Sequence, residues 1–173
     1  MENLGGGKFT LKALPQIAQF APVNGQQIDD VDNDGNLDLI LIGNDFGNEI
    51  ISGRYDALNG IVFLGDGKGG FQELTANQSG FIVPGDAKAL ARLSGKFHDL
   101  YISTQNKDSL MIHVNNMKVD LERKIYKPLP SDSWAELVYK SGQVEKVEFY
   151  YGAGYLTQSS RTIPISGDVE KLV

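Results

Sequence analysis

Asp30-Val31-Asp32-Asn33-Asp34-Gly35-Asn36-Leu37-Asp38-Leu39-Ile40-Leu41-Ile42 is the stretch on which the reading of this chain turns. Its first nine residues place carboxylates at positions 1, 3, 5 and 9 of a short loop. Four such groups repel one another unless a counter-charge joins them. A hard cation supplies it: Ca²⁺ takes about 6–8 oxygen ligands and tolerates irregular geometry. Alternate positions point inward when the loop curls, and Gly35 permits the sharp turn because it adopts positive φ without steric cost. The expected ligands are the side chains of Asp30, Asp32, Asp34 and Asp38, with Asn36 contributing its backbone carbonyl. The loop is not an EF-hand, which needs an acid at position 12; Leu41 stands there and a β run follows. The alternative is a solvated acidic turn closed by Asx hydrogen bonds.

The run Leu37–Gly43 is nearly continuously apolar, which predicts a strand buried on both faces. Working outward, short apolar or alternating runs recur between Gly, Asn and Asp turns, and helical periodicity is nearly absent, so the chain reads as all-β. The expected strands are Lys8–Ala13, Gln26–Val31, Leu37–Gly43, Gly60–Leu64, Phe71–Leu74, Lys88–Leu93, Asp99–Ser103, Ser109–Val114, Lys118–Ile125, Ala135–Tyr139, Val144–Tyr150, Arg161–Ile165 and Val169–Leu172. Turn signals fill the gaps: Asp34-Gly35, Asp66-Gly67, Gly69-Gly70, Ser94-Gly95 and Ser141-Gly142.

Two internal echoes share nearly one spacing. Asn3-Leu4-Gly5-Gly6-Gly7-Lys8-Phe9 resembles Phe63-Leu64-Gly65-Asp66-Gly67-Lys68-Gly69-Gly70-Phe71, with the two phenylalanines 62 positions apart. Asp38-Leu39-Ile40-Leu41-Ile42 lies over Asp99-Leu100-Tyr101-Ile102-Ser103, 61 positions apart. A repeated four-strand unit explains both, as in the blades of a β-propeller. The loop Leu93–Asp99 of the second unit lacks the first three acids, so no cation is expected there. Asp66-Gly67-Lys68-Gly69-Gly70 holds one carboxylate and reads as a turn.

Composition sets the outer bounds. The 173 residues make one ordinary domain or a piece of a larger one, and 20 glycines point to many tight turns. A net charge of −6 argues against nucleic-acid binding, which needs clustered Lys and Arg. The absence of cysteine excludes disulfides, thiolate metal sites and Cys nucleophiles. No apolar run approaches the roughly 18 residues of a membrane span. The segment MENLGGGKF lacks an apolar signal core, so the chain is expected to be cytoplasmic or cut from a longer exported protein. His98 and His113 have no partner motif, and no G-x-S-x-G, H-E-x-x-H, P-loop or Rossmann fingerprint occurs. The long insertion Asp45–Leu58 offers Glu49, Arg54, Tyr55 and Asp56 either to a ligand or, more commonly, to its own scaffold. Tyr150-Tyr151-Gly152-Ala153-Gly154-Tyr155 is either an aromatic platform or, as Tyr beside Gly more often is, packed core.

The residues Asp30-Val31-Asp32-Asn33-Asp34-Gly35-Asn36-Leu37-Asp38-Leu39-Ile40 resemble the FG-GAP/VCBS repeat, the calcium-bearing blade unit of integrin-α-type propellers. Leu64-Gly65-Asp66-Gly67-Lys68-Gly69-Gly70-Phe71 matches the turn and Phe that close such a unit. Val147-Glu148-Phe149-Tyr150-Tyr151-Gly152-Ala153-Gly154-Tyr155-Leu156-Thr157-Gln158-Ser159-Ser160-Arg161 resembles the ASPIC/UnbV module that follows such repeats in cartilage-acidic-protein-like bacterial chains. That module usually continues F-G-L-G; Ile163-Pro164-Ile165-Ser166-Gly167 stands here instead.

The resemblance implies a non-enzymatic, calcium-binding module for binding or adhesion in an exported, cell-envelope or extracellular bacterial protein. It carries no family enzymatic activity. The expected architecture is a partial β-propeller of about two four-stranded blades over residues 1–127, with a small C-terminal β-module over 131–173. A propeller has more blades than two, so the chain is expected to be the C-terminal fragment of a longer protein. Expected partners are a protein or glycan ligand, without nucleic acid or membrane insertion, and exposed sheet edges invite self-association. The rival expectations are a carbohydrate-active propeller enzyme with a Ca²⁺-assisted site and a purely structural assembly module.

Overall fold

The computed structural model describes residues 1–116, 123–165 and 167–173. The chain is all-β, with 44% strand against 5% helix, arranged as several small antiparallel sheets with no closed barrel among the described residues. A hairpin of β1 (Glu2–Gly5) and β2 (Lys8–Thr10) opens the chain, fully exposed. A 3₁₀ turn at Gln16–Gln19 leads into a four-stranded meander: β3 (Val23–Asp29), β4 (Asp38–Gly43), β5 (Ile61–Gly65) and β6 (Phe71–Leu74). A one-turn helix α1 (Ala76–Ser79) connects it to a three-stranded meander of β7 (Ala87–Ser94), β8 (Asp99–Gln105) and β9 (Met111–Val114).

Why β4 sits at the centre follows from its sequence. Every residue of Asp38–Gly43 is buried. Ile40 and Ile42 face the second meander and share a core with Val62, Phe81, Val83, Ala87, Leu90 and Tyr101. Leu39 and Leu41 face the opposite way, onto Leu58, Ile61, Phe63 and Ala18 of the 3₁₀ turn. The two meanders therefore stack face to face, with β3 lying against β7. Gly25 makes that approach possible: a Cβ there would stand 2.8 Å from Ile42 Cγ1 and 2.9 Å from Leu90 Cβ. Gly25→Val is expected to cost about 1–3 kcal/mol by overpacking, measured by urea unfolding; wild-type stability would contradict this packing.

The remaining strands form a second core. β11 (Trp134–Tyr139) lies between β12 (Val144–Glu148) and β14 (Val169–Leu172), and β10 (Lys124–Tyr126) pairs with β13 (Ile163–Ile165). Ala135, Leu137, Phe149 and Ile163 are buried together, with Tyr126 and Tyr139 packed on them. β10 thus joins the C-terminal sheets, although it precedes the Pro-containing stretch Lys127–Ser131. The expected strand Lys118–Ile125 falls partly at 118–122, outside the described residues. The one-turn α1 is an addition to the expected elements. Gln78 Oε1 accepts a hydrogen bond from the Thr75 amide at 2.9 Å, and Gly80 closes the turn at φ 65°.

The C-terminal part is fastened to the open edge of β7. Ser160 N donates to Arg92 O at 2.8 Å, Arg92 N donates to Ser159 Oγ at 3.0 Å, and Ser94 N donates to Ser160 Oγ at 3.2 Å. Gln27 Nε2 of β3 also donates to Ser159 Oγ at 2.9 Å. The Arg92–Ser94 end of this sheet edge is covered from within the chain, by one backbone bond and two serine hydroxyls.

Candidate functional site

The β3–β4 connection is the acidic loop, and its shape follows from hydrogen bonds between its own carboxylates and backbone. Asp38 is buried at the first position of β4 and binds two amides, Val31 N and Gly65 N, each at 2.8 Å. It therefore ties the loop's start to the β5–β6 turn. Asp30 accepts from Asp34 N at 3.1 Å and Gly35 N at 2.9 Å, and Asp32 accepts from Asp34 N at 3.2 Å. Asn33 and Gly35 turn the chain at φ 61° and 88°. Gly65 has no room for a side chain: a Cβ would lie 2.1 Å from Leu37 O.

The outcome is a convergence of Asp30, Asp32 and Asp38, whose ligand oxygens lie within 4.8 Å of one another. Among the described residues, no Lys or Arg forms an ion pair with any of the three. At this separation each pair of charges repels by roughly 1 kcal/mol in water, and by more in a part-buried site. Burial pushes the Asp38 carboxyl above its ordinary value, and the charges of Asp32 and Asp34 add to this against the two amide bonds. Asp30 is likewise raised, first by desolvation and further by Asp38.

Asp34 is not among the three converging carboxylates; it accepts from Asn36 N at 2.7 Å and Asn36 Nδ2 at 2.9 Å. Asp34→Ala should therefore weaken any cation response much less than Asp30→Ala, a comparison calcium-dependent melting makes directly. Equal losses would place Asp34 among the ligands.

Sequence reasoning missed what occupies the matching position of the second meander. β8 also opens on a buried aspartate, Asp99. Its carboxylate is held by Arg123, with Nη2 at 2.9 Å from Oδ1 and Nη1 at 3.1 Å from Oδ2. Nη2 also reaches Gly95 O at 2.8 Å. The signal was a lone arginine 24 positions beyond Asp99, with no local pattern to link the two.

Asp66 accepts from Lys68 N and Gly70 N at 2.8 and 2.7 Å, and those bonds hold its carboxyl below the usual value. The insertion is clipped by a two-bond bridge between Asp45 and Tyr55, and Arg54 stacks on Phe46 at 4.8 Å. Glu49 and Asp56 are exposed. The packed-core expectation for Tyr150, Tyr151 and Tyr155 is corrected: they are 58%, 67% and 64% exposed. The Gly152 turn lifts them off the C-terminal core, and Arg161 stacks on Tyr151 at 3.9 Å.

No protein-family model, curated protein or solved structure matches the chain. No helix among the described residues is long and apolar enough to cross a membrane.

Because Asp30 and Asp38 titrate above 3.8 in the fold, the cation-free folded chain holds their protons to higher pH than the unfolded chain does. Their ionisation therefore costs stability as pH rises through the raised values, and protons compete with a cation below them. The gain in melting temperature from calcium should shrink as pH falls toward these raised values. A gain undiminished down to pH 3.8, the ordinary carboxylate value, would contradict ligation by these two groups.

Proposed function

We propose that this chain is a calcium-binding, non-enzymatic binding or adhesion module of an exported, cell-envelope protein. The observation that carries the reading is the convergence of Asp30, Asp32 and Asp38 on one point without a cationic side chain among the described residues. Their donor set is all carboxylate oxygen, which suits a hard divalent ion. Both oxygens of Asp30 and of Asp38 already accept amide hydrogens, so these ligands are held in place before any ion arrives. The ion's role is structural: it cancels the repulsion and fixes the turn that feeds β4.

The finer architecture belongs to the same reading. Two antiparallel meanders stacked face to face, each with a buried Asp opening its second strand, support adjacent blades of a partial propeller. In the first, the proposed ion would supply the positive charge; in the second, Arg123 supplies it. The C-terminal sheets then act as a separate small module leaning on the inner edge.

Calcium at about 100 times Kd should add roughly 2.7 kcal/mol of stability. For a chain of this size that corresponds to a rise of about 5–10 °C in Tm. Sodium at matched ionic strength should have no such effect. A melting curve indifferent to calcium after exhaustive chelation would refute the site.

A further inference from the structure

We infer that the cleft between the paired meanders and the C-terminal sheets binds a neutral, polyhydroxylated ligand, one or two sugar residues in size. This rests on the proposed cation, because Asp30 forms part of the cleft wall. The cleft has a volume of about 500 Å³, within the range of small-ligand sites.

Its lysine and arginine side chains are already matched. Arg92 pairs with Asp29, Arg123 with Asp99, and Lys146 with Glu148. Glu145 accepts the Tyr139 hydroxyl at 2.5 Å. Asp30 is the wall carboxylate that the ion would neutralise. An anionic ligand would have to displace the carboxylate partner of Arg92, Arg123 or Lys146, and at the two part-buried arginines the displaced carboxylate would be left alone. A hydroxyl group both donates and accepts, so it adds to a carboxylate–guanidinium pair without breaking it. Beside these pairs lie uncovered apolar side chains: Ile28, Leu37 and Tyr150 line the same cleft and are 59%, 58% and 58% exposed. A sugar ring presents both surfaces the wall requires, a hydroxyl rim and a C–H face that covers apolar and aromatic groups.

The test is an array of neutral, sialylated and sulfated glycans probed with the full chain in millimolar calcium. Retention of neutral glycans is expected. Tyr150→Ala and Ile28→Ser, both at exposed positions, should each weaken that binding about tenfold, while Ile50→Ser, outside the cleft, leaves it unchanged. The inference is overturned if no neutral glycan is retained, if only charged glycans are, or if both cleft variants bind as wild type. A calcium-raised Tm without glycan binding sinks this inference and keeps the cation reading. Glycan binding beside a calcium-indifferent melt does the reverse.

Discussion

Arg123→Met is expected to lower the unfolding free energy by about 3–5 kcal/mol, the loss typical of a buried ion pair deprived of one partner. The side chains of Asp99 and Arg123 are only 8% and 15% exposed. Removing the guanidinium strands a carboxylate that water reaches poorly, and it also frees Gly95 O, to which Arg123 Nη2 donates. The attraction itself is not the source of so large an effect, since a buried pair gains little over a well-packed apolar one. For that reason the double variant Asp99→Asn, Arg123→Met should recover most of the loss. Urea unfolding of the three proteins reads this directly. A single variant within about 0.5 kcal/mol of wild type, the range of an ordinary surface change, would show that Arg123 is not the counter-ion.

Asp38→Ala should be comparably damaging, by about 2–6 kcal/mol, because two amides lose their acceptor at roughly 1–3 kcal/mol each. Val31 N lies in the β3–β4 loop and Gly65 N at the end of β5, so the carboxylate fastens the loop to the start of the β5–β6 turn. Asp38→Asn keeps one acceptor oxygen and should retain part of that stability. Both variants remove the charge that the ion needs, so neither should melt at higher temperature when calcium is added. Stability and calcium response thus separate: Asn restores some of the first and none of the second. A calcium response surviving in Asp38→Asn would move the ion elsewhere.

How much of this was legible beforehand depended on how local each signal is. The two-sided burial of β4 was readable because its six residues are nearly all apolar and no face of a strand is spared in such a run. The acidic loop was readable because its carboxylates sit within nine residues. Within it the Asx hydrogen bond from Asn36 N to Asp34 was not, since the alternation of the chain does not reveal it. The Arg123–Asp99 pair was invisible for the opposite reason: it joins residues brought together only by the fold. The same holds for β10, which reaches past the Pro-containing stretch to pair with β13. Exposure of Tyr150, Tyr151 and Tyr155 was misjudged because aromatic residues are usually buried for their apolar area. Here the turn at Gly152 carries them outward, and Arg161 covers one ring instead of the core.

The covered edge of β7 bears on association. An unpaired strand edge recruits other chains, but Ser159 and Ser160 already satisfy the Arg92 and Ser94 backbone from within the molecule.

Calorimetric titration of chelator-treated protein with calcium, run beside Asp38→Asn, probes the ion most directly. One ion per chain with a Kd of about 10⁻⁴–10⁻³ M, abolished in the variant, is the predicted result. Absence of saturable heat in the wild type, or an identical isotherm in both proteins, would contradict it.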